Sequence, residues 1–265
     1  MTTSLVSITN DFGGFEKAPW VVTSYLLGYV GVVIICSKLS DIFGRKSLFN
    51  IALVTFIIFS AACGGSQSLT QLIVFRAFQG IGGAGCFALC TILIIELVPE
   101  SQYAAYTALV SMVYSLALVC GPILGGVINN DTTWRWVFLL NVPAAFLALL
   151  VSCFCLPNNF PHHRDPNYAK QTLKSLMTTR VFSRVDFLGF VLLLTATVCL
   201  VAGLEEAGLF FPWKSAYVIT MLTVSGIGWI IFLVWERYIT RKNSITEPVF
   251  PWRFVTSRVM IGMLL

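Results

Sequence analysis

The chain has 265 residues, of which 57% are hydrophobic and 11% charged, and its mean hydropathy is +0.84. This composition lies far outside that of water-soluble globular domains and points to an integral membrane protein. The net charge of +5 arises from basic residues spread along the chain rather than gathered in one stripe, which argues against a nucleic-acid partner and fits the edges of a lipid bilayer.

Taken in chain order, seven apolar runs recur: Trp20–Cys36 (A), Leu48–Cys63 (B), Leu69–Val98 (C), Ala104–Val127 (D), Val137–Leu156 (E), Phe187–Leu204 (F) and Ala216–Trp235 (G). Each is read as long enough to cross a hydrocarbon core of roughly 30 Å as a helix. They are apolar on every face and lack the alternation of barrel strands, so the fold class is an all-α membrane bundle. The first 19 residues lack the basic start, uninterrupted apolar core and small-residue cleavage site of a secretory signal peptide, which leaves span A as the targeting segment. All eight cysteines lie in or beside the spans, where cysteine serves as a small hydrophobe, and neither a metal nor another cofactor is implied.

Lys and Arg near span ends are retained on the cytoplasmic side. The A–B loop carries Lys38, Arg45 and Lys46, the E–F loop Arg164, Lys170, Lys174, Arg180 and Arg184, and the segment after G Arg237, Arg241, Lys242, Arg253 and Arg258. Opposite them stand only Lys17, Arg135 and Lys214. The A–B, C–D and E–F loops are therefore expected inside. The organisation read from this pattern is an initial segment 1–19, a five-helix bundle 20–156, a polar linker 157–185 containing His162–His163, a two-helix insertion 186–236, and a cytoplasmic loop with the start of another helix at 237–265. The paired histidines have no Cys or carboxylate cluster beside them and read as solvated.

Four strings carry more than topology. The A–B connection reads Ser37-Lys38-Leu39-Ser40-Asp41-Ile42-Phe43-Gly44-Arg45-Lys46, a tight charged turn in which Asp41 can cap a helix and Gly44 permits the reversal. Topology alone explains that string as well as a gate does. Span C contains Arg76-Ala77-Phe78-Gln79-Gly80, and Arg76 lies about seven residues, roughly 10 Å, inside the span. A charge so deep faces a cavity or a partner unless it snorkels to the interface. Span D holds Gly121-Pro122-Ile123-Leu124-Gly125-Gly126, in which Gly121 and Gly125 form a face for close helix packing and Pro122 removes a backbone donor. Span E opens with Trp134-Arg135-Trp136, followed by Asn141 and Pro143, a pattern that an aromatic interfacial belt also explains.

Together these strings resemble the major facilitator superfamily. The A–B string is similar to the family's Gly-x-x-x-Asp-x-x-Gly-Arg-Lys loop, with Ser37 in place of the first glycine. Arg76 to Gly80 resembles its helix-four Arg-x-x-x-Gly, Gly121 to Gly126 the helix-five motif of its antiporter branch, and Trp134 to Pro143 the helix-six signature of fourteen-span drug:proton antiporters. The resemblance equates spans A to G with family helices two to eight, with Leu5–Gly14 as the tail of helix one, and so implies a major facilitator fold fragment lacking a C-terminal half, which the rest of the gene or another membrane chain would supply. It implies proton-coupled efflux of small hydrophobic drugs, toxins or secondary metabolites, at the plasma membrane or else the vacuolar membrane. The alternatives are a vacuolar amino-acid or siderophore transporter and a remnant that does not transport. No nucleophile–base pair, phosphate loop or metal-ligand spacing supports an enzyme.

From the resemblance, Asp41, Gly44, Arg45, Lys46 and Glu96 form an inner charge network, and Arg76, Gln79 and Gly80 serve the cavity and proton coupling. Spans A to E contain no central carboxylate, which the resemblance assigns to helix one. Glu205 and Glu206 are expected in an external loop, and the Asn130-Asp131-Thr132 sequon is expected outside, close to the membrane.

Overall fold

A computed structural model describes residues 4–157, 185–208, 210–242, 248–249 and 252. Within them the chain forms α1 (Leu5–Phe12), α2 (Trp20–Phe43), α3 (Arg45–Gly64), α4 (Leu69–Leu97), α5 (Tyr103–Asp131), α6 (Trp136–Leu139), α7 (Asn141–Cys155), α8 (Phe187–Glu206) and α9 (Ala216–Lys242). Seven segments of this set, α6 and α7 counting together, are long and apolar enough to cross a membrane. All seven expected spans are helical.

The helices outrun several apolar runs, and the reason is the same each time. Helix hydrogen bonding persists past the hydrocarbon into the polar interface, where charged side chains reach water. Thus α2 continues to Phe43 and α3 begins at Arg45, so the expected A–B loop reduces to Gly44 alone. Asp41 lies exposed in the last turn of α2 rather than ahead of a helix start. Gly44 makes the reversal with φ 91°, a backbone region that side chains disfavour. Likewise α9 extends through Arg237 to Lys242, which makes 237–242 helix rather than loop, and its last-turn cations Arg241 and Lys242 complement the helix dipole. Glu205 and Glu206 are the last residues of α8 rather than an external loop, and Glu206 is buried.

The described residues fall into two compact units, one comprising α1 to α7 apart from the last turn of α2, the other containing α8 and α9. In the first, Ile8, Val21, Cys63, Leu72, Trp134 and Phe138 form a core, with Phe12 edge-on to Trp134 at 5.4 Å. Span E is broken between α6 and α7 because Pro143 has no N–H for the Leu139 carbonyl. By contrast α5 runs unbroken through Pro122. In the second unit, Asp186 caps α8 by accepting from the Gly189 N–H at 2.9 Å and also accepts from Trp235 Nε1 at 3.1 Å. Most of the linker, including His162–His163, and the segments 243–247 and 253–265 lie outside the described residues.

Candidate functional site

The glycines of α4 decide how closely its neighbours approach. A Cβ at Gly80 would collide with the Tyr25 carbonyl of α2, one at Gly82 would lie 2.7 Å from the Phe56 nitrogen of α3, and one at Gly85 would lie 2.6 Å from Ala52 Cβ. Gly28 of α2 meets the Ala77 carbonyl in the same way. The stretch from Gly80 to Gly85 is therefore a backbone seam through which α2, α3 and α4 pack at close range.

One turn ahead of that seam Arg76 is 7% exposed. Its Nε donates to the Val21 carbonyl at 3.1 Å and its Nη1 to Gln79 Oε1 at 2.7 Å, while Gln79 Nε2 donates to Ser60 Oγ at 2.7 Å. The guanidinium carbon stands 4.2 Å from the centre of the Tyr25 ring and 5.7 Å from that of Phe138. Sequence reading found Arg76 and Gln79, and they do meet. Gly80 contributes by letting Tyr25 approach. Among the described residues no carboxylate lies within ion-pair distance of Arg76, so a buried cation is held by neutral acceptors and aromatic faces.

Arg76 does not itself line the cavity. A space of about 460 Å³ lies near the middle of the spans, bounded by the rings of Tyr25, Tyr29, Phe56, Phe87 and Tyr114, with Asn141 offering an amide. Tyr25 stacks on Tyr29 at 5.9 Å, Tyr29 meets Phe87 at 6.0 Å, and Phe87 meets Tyr114 at 5.9 Å. Tyr25 is thus shared by the cavity wall and the Arg76 cluster. The three tyrosines were missed because aromatic residues in apolar spans read as lipid-facing or core; the signal was their polar tips at mid-span, with Tyr25 and Tyr29 one helical turn apart.

At the end expected to face the cytoplasm, Arg45 Nη2 and Glu96 Oε1 are 2.9 Å apart, with Arg45 Nε also donating to Glu96 at 3.1 Å and Nη1 to Ser40 Oγ. This fork ties the start of α3 to the last turn of α4, and Ser40 joins from α2. Lys46 acts elsewhere, donating from Nζ to the Cys153 and Leu156 carbonyls at 2.9 and 2.6 Å, where it closes the C-terminus of α7.

The helix-six string works as a cap. Arg135 Nη1 donates to the carbonyls of Gly64 and Ser66 at 2.9 and 2.6 Å, closing the end of α3, and its guanidinium lies 4.7 Å from the Trp134 ring. Trp134 Nε1 donates to Asp11 Oδ2 at 2.7 Å, tying the last turn of α1 to the segment before α6. In the helix-five string Gly125 is buried, whereas a Cβ at Gly121 or Gly126 would meet nothing within 4 Å among the described residues, so the tight packing expected of Gly121 is not made there. Asn130 is exposed in the last turn of α5.

Comparison with known proteins bears on the family of the chain. A protein of Fusarium mangiferae, MFS-type transporter FPY5, is 43% identical over all 265 residues, which make up 44% of its own length. Multidrug resistance protein 3 of Bacillus subtilis (strain 168) is 32% identical over 255 residues, 96% of this chain and 45% of the relative. The MFS efflux transporter aclA of Aspergillus oryzae is 30% identical over 258 residues, 97% of this chain and 44% of the relative. The chain therefore spans a little under half the length of these curated relatives. The family described as Major Facilitator Superfamily matches residues 1–265, and with its seven membrane-length helices and glycine seam this chain belongs to that superfamily.

Proposed function

We propose that the chain forms the N-terminal bundle and inserted helix pair of a secondary transporter that exports small hydrophobic molecules in exchange for protons, at the plasma membrane. The observation that carries this reading is the aromatic-walled cavity of about 460 Å³ at mid-span, backed by the buried Arg76 cluster through Tyr25. An uncompensated cation inside a membrane span is costly and is retained where a cargo or a mobile charge must be sensed. The relatives named for multidrug resistance and efflux support an outward direction of transport.

In this mechanism two bundles rock about a cargo held between them. The Arg45–Glu96 pair, with Asp41 close by in sequence, closes the inner side in one state and parts in the other. Arg76 holds a carboxylate in its ionised form during part of the cycle and releases it when that group takes up a proton. By resemblance, that carboxylate stands on the family's first helix. Reconstituting the full-length protein in proteoliposomes and following a fluorescent hydrophobic cargo tests this: transport should need a pH gradient and stop with a protonophore. Transport indifferent to the gradient would overturn proton coupling, and the 265 residues by themselves should give no transport.

A further inference from the structure

We infer that α8, α9 and the chain that follows them form one rigid element, fastened by a clasp at Val249 and Trp252, and that the helix pair travels with the second bundle during transport. The inference rests on the reading that the chain beyond the clasp continues into that second bundle. The pair itself is fastened along its length. A Cβ at Gly203 of α8 would lie 3.2 Å from Met221 Cβ of α9, and one at Gly228 would lie 3.1 Å from Ala196 Cβ. Between them Ser225 Oγ donates to the Ala196 carbonyl at 2.8 Å, and at the far end Trp235 Nε1 reaches Asp186 at 3.1 Å. Close backbone approach and interhelical hydrogen bonds at three levels leave two membrane helices little freedom to slide.

Past the end of α9 the chain returns to this same end of the pair and touches both helices. The Val249 N–H donates to Glu236 Oε1 of α9 at 3.2 Å, and Val249 Cγ2 stands 3.1 Å from where a Cβ would project at Gly189 of α8. Val249 is 4% exposed and Glu236 is fully buried. The Arg237 guanidinium lies 5.7 Å from the centre of the Trp252 ring. Undocking would take the Val249 N–H from a buried carboxylate and expose an apolar side chain, and both changes are unfavourable. Val249 and Trp252 accordingly belong to the same compact unit as α8 and α9. The two connections of the pair differ in what they can transmit. Residues 156–186 separate α7 from α8, with roughly 100 Å of contour to absorb a displacement, whereas only 243–248 separate α9 from Val249. Alternating access moves one bundle against the other. The short, clasped connection passes that motion to the pair and the long one does not.

The test uses the full-length protein, freed of its own cysteines and reconstituted in liposomes. Spin labels at Thr223 on α9 and at Met263 beyond the clasp report one separation, and labels at Thr223 and Ile58 on α3 report another. Both are measured at acidic and alkaline pH, with and without a fluorescent hydrophobic cargo. The first separation should keep one narrow distribution in every condition while the second shifts. A first separation that changes with condition, or a second that does not, overturns the inference. In a further arm, a short bifunctional methanethiosulfonate joins Arg237→Cys to Trp252→Cys. Gradient-driven transport should stay within twofold of the unlinked protein; arrest that a reductant reverses would show that the clasp opens in each cycle and overturn the inference. Glu236→Leu, which removes the acceptor, should broaden the first distribution and lower transport, whereas Glu236→Gln, which keeps an acceptor oxygen, should preserve both. An unbroadened distribution in Glu236→Leu would remove the clasp as the cause. If that variant does not fold, the label and cross-link arms still decide. The expected distances without any gradient-driven transport would uphold the rigid element and overturn the efflux reading instead.

Discussion

Arg45 and Glu96, 51 positions apart in the sequence, meet through a two-nitrogen fork whose shortest contact is 2.9 Å, and both side chains are largely screened from solvent. Hydrogen bonds to charged groups contribute about 1.5–3 kcal/mol when they are shielded in this way. In the proposed mechanism such a fork is strong enough to bias a gate yet weak enough to open within a transport cycle.

The first prediction follows from that balance. In the full-length protein, Arg45→Ala and Glu96→Gln should each reduce transport strongly, and the double variant should be little worse than either single one. Thermal unfolding in detergent, analysed as a double-mutant cycle, should give a coupling of about 1–3 kcal/mol. Additive losses of transport would refute a shared gate.

The glycine seam supplies a second prediction. Gly82→Ala forces a Cβ to within 2.7 Å of the Phe56 backbone, and Gly85→Ala sets two methyl groups against each other at 2.6 Å. Overpacking of this kind costs about 1–3 kcal/mol, so folded yield and thermal stability should fall. At Gly121 and Gly126 no described neighbour stands in the way, and alanine should leave stability unchanged or raise it by up to about 1 kcal/mol through helix propensity. Loss of transport without loss of stability at those two sites would assign that face of α5 to contact with the part of the transporter beyond this chain.

Arg135 yields a third. Its Nη1 serves two carbonyls at the end of α3, and Ala would leave both Gly64 and Ser66 without that donor. Each lost charge-assisted bond costs about 1.5–3 kcal/mol before water replaces it. Arg135→Ala should lower thermal stability by several degrees and Arg135→Lys, which keeps the charge but loses the planar fork, by less. Equal stability of all three forms would show that the cap contributes nothing.

These cases show where sequence reading succeeds and where it stops. Hydropathy located all seven spans because the bilayer imposes one length on every helix. The same signal misjudged the ends of α2, α8 and α9, since Asp41, Glu206 and Arg237 look like loop residues while backbone hydrogen bonding carries them as helix. The motif strings led to Arg45, Glu96, Arg76 and Gln79, whose partners are at most two helices away. Tyr25, Tyr29 and Tyr114 left only the faint signal of polar tips at mid-span: they come from α2 and α5, and their sharing one space depends on how those helices pack. Lys46 and Arg135 were visible as motif members, yet what they bind, the open carbonyls of α7 and α3, depends on tertiary contacts that no string encodes.

The last prediction separates structure from function at Arg76. Breaking a buried ion pair usually destabilises a protein because it strands the partner charge, but here no carboxylate is stranded among the described residues. Removing the guanidinium relieves the cost of burying an uncompensated cation and leaves only two neutral acceptors, the Val21 carbonyl and Gln79 Oε1, without that donor. The second can turn to Cys63, whose thiol already lies 3.8 Å from it. Arg76→Met, which keeps most of the volume against Tyr25, should therefore change thermal stability by no more than about 1 kcal/mol in either direction. Gradient-driven transport should nevertheless disappear, while downhill exchange of a neutral cargo persists. Arg76→Lys should keep the charge but lose the fork that reaches Val21 and Gln79 together, and retain only a fraction of coupled transport. A several-kcal/mol loss of stability in Arg76→Met, with transport falling only in proportion to the folded protein recovered, would make Arg76 a packing residue and remove it from the coupling mechanism.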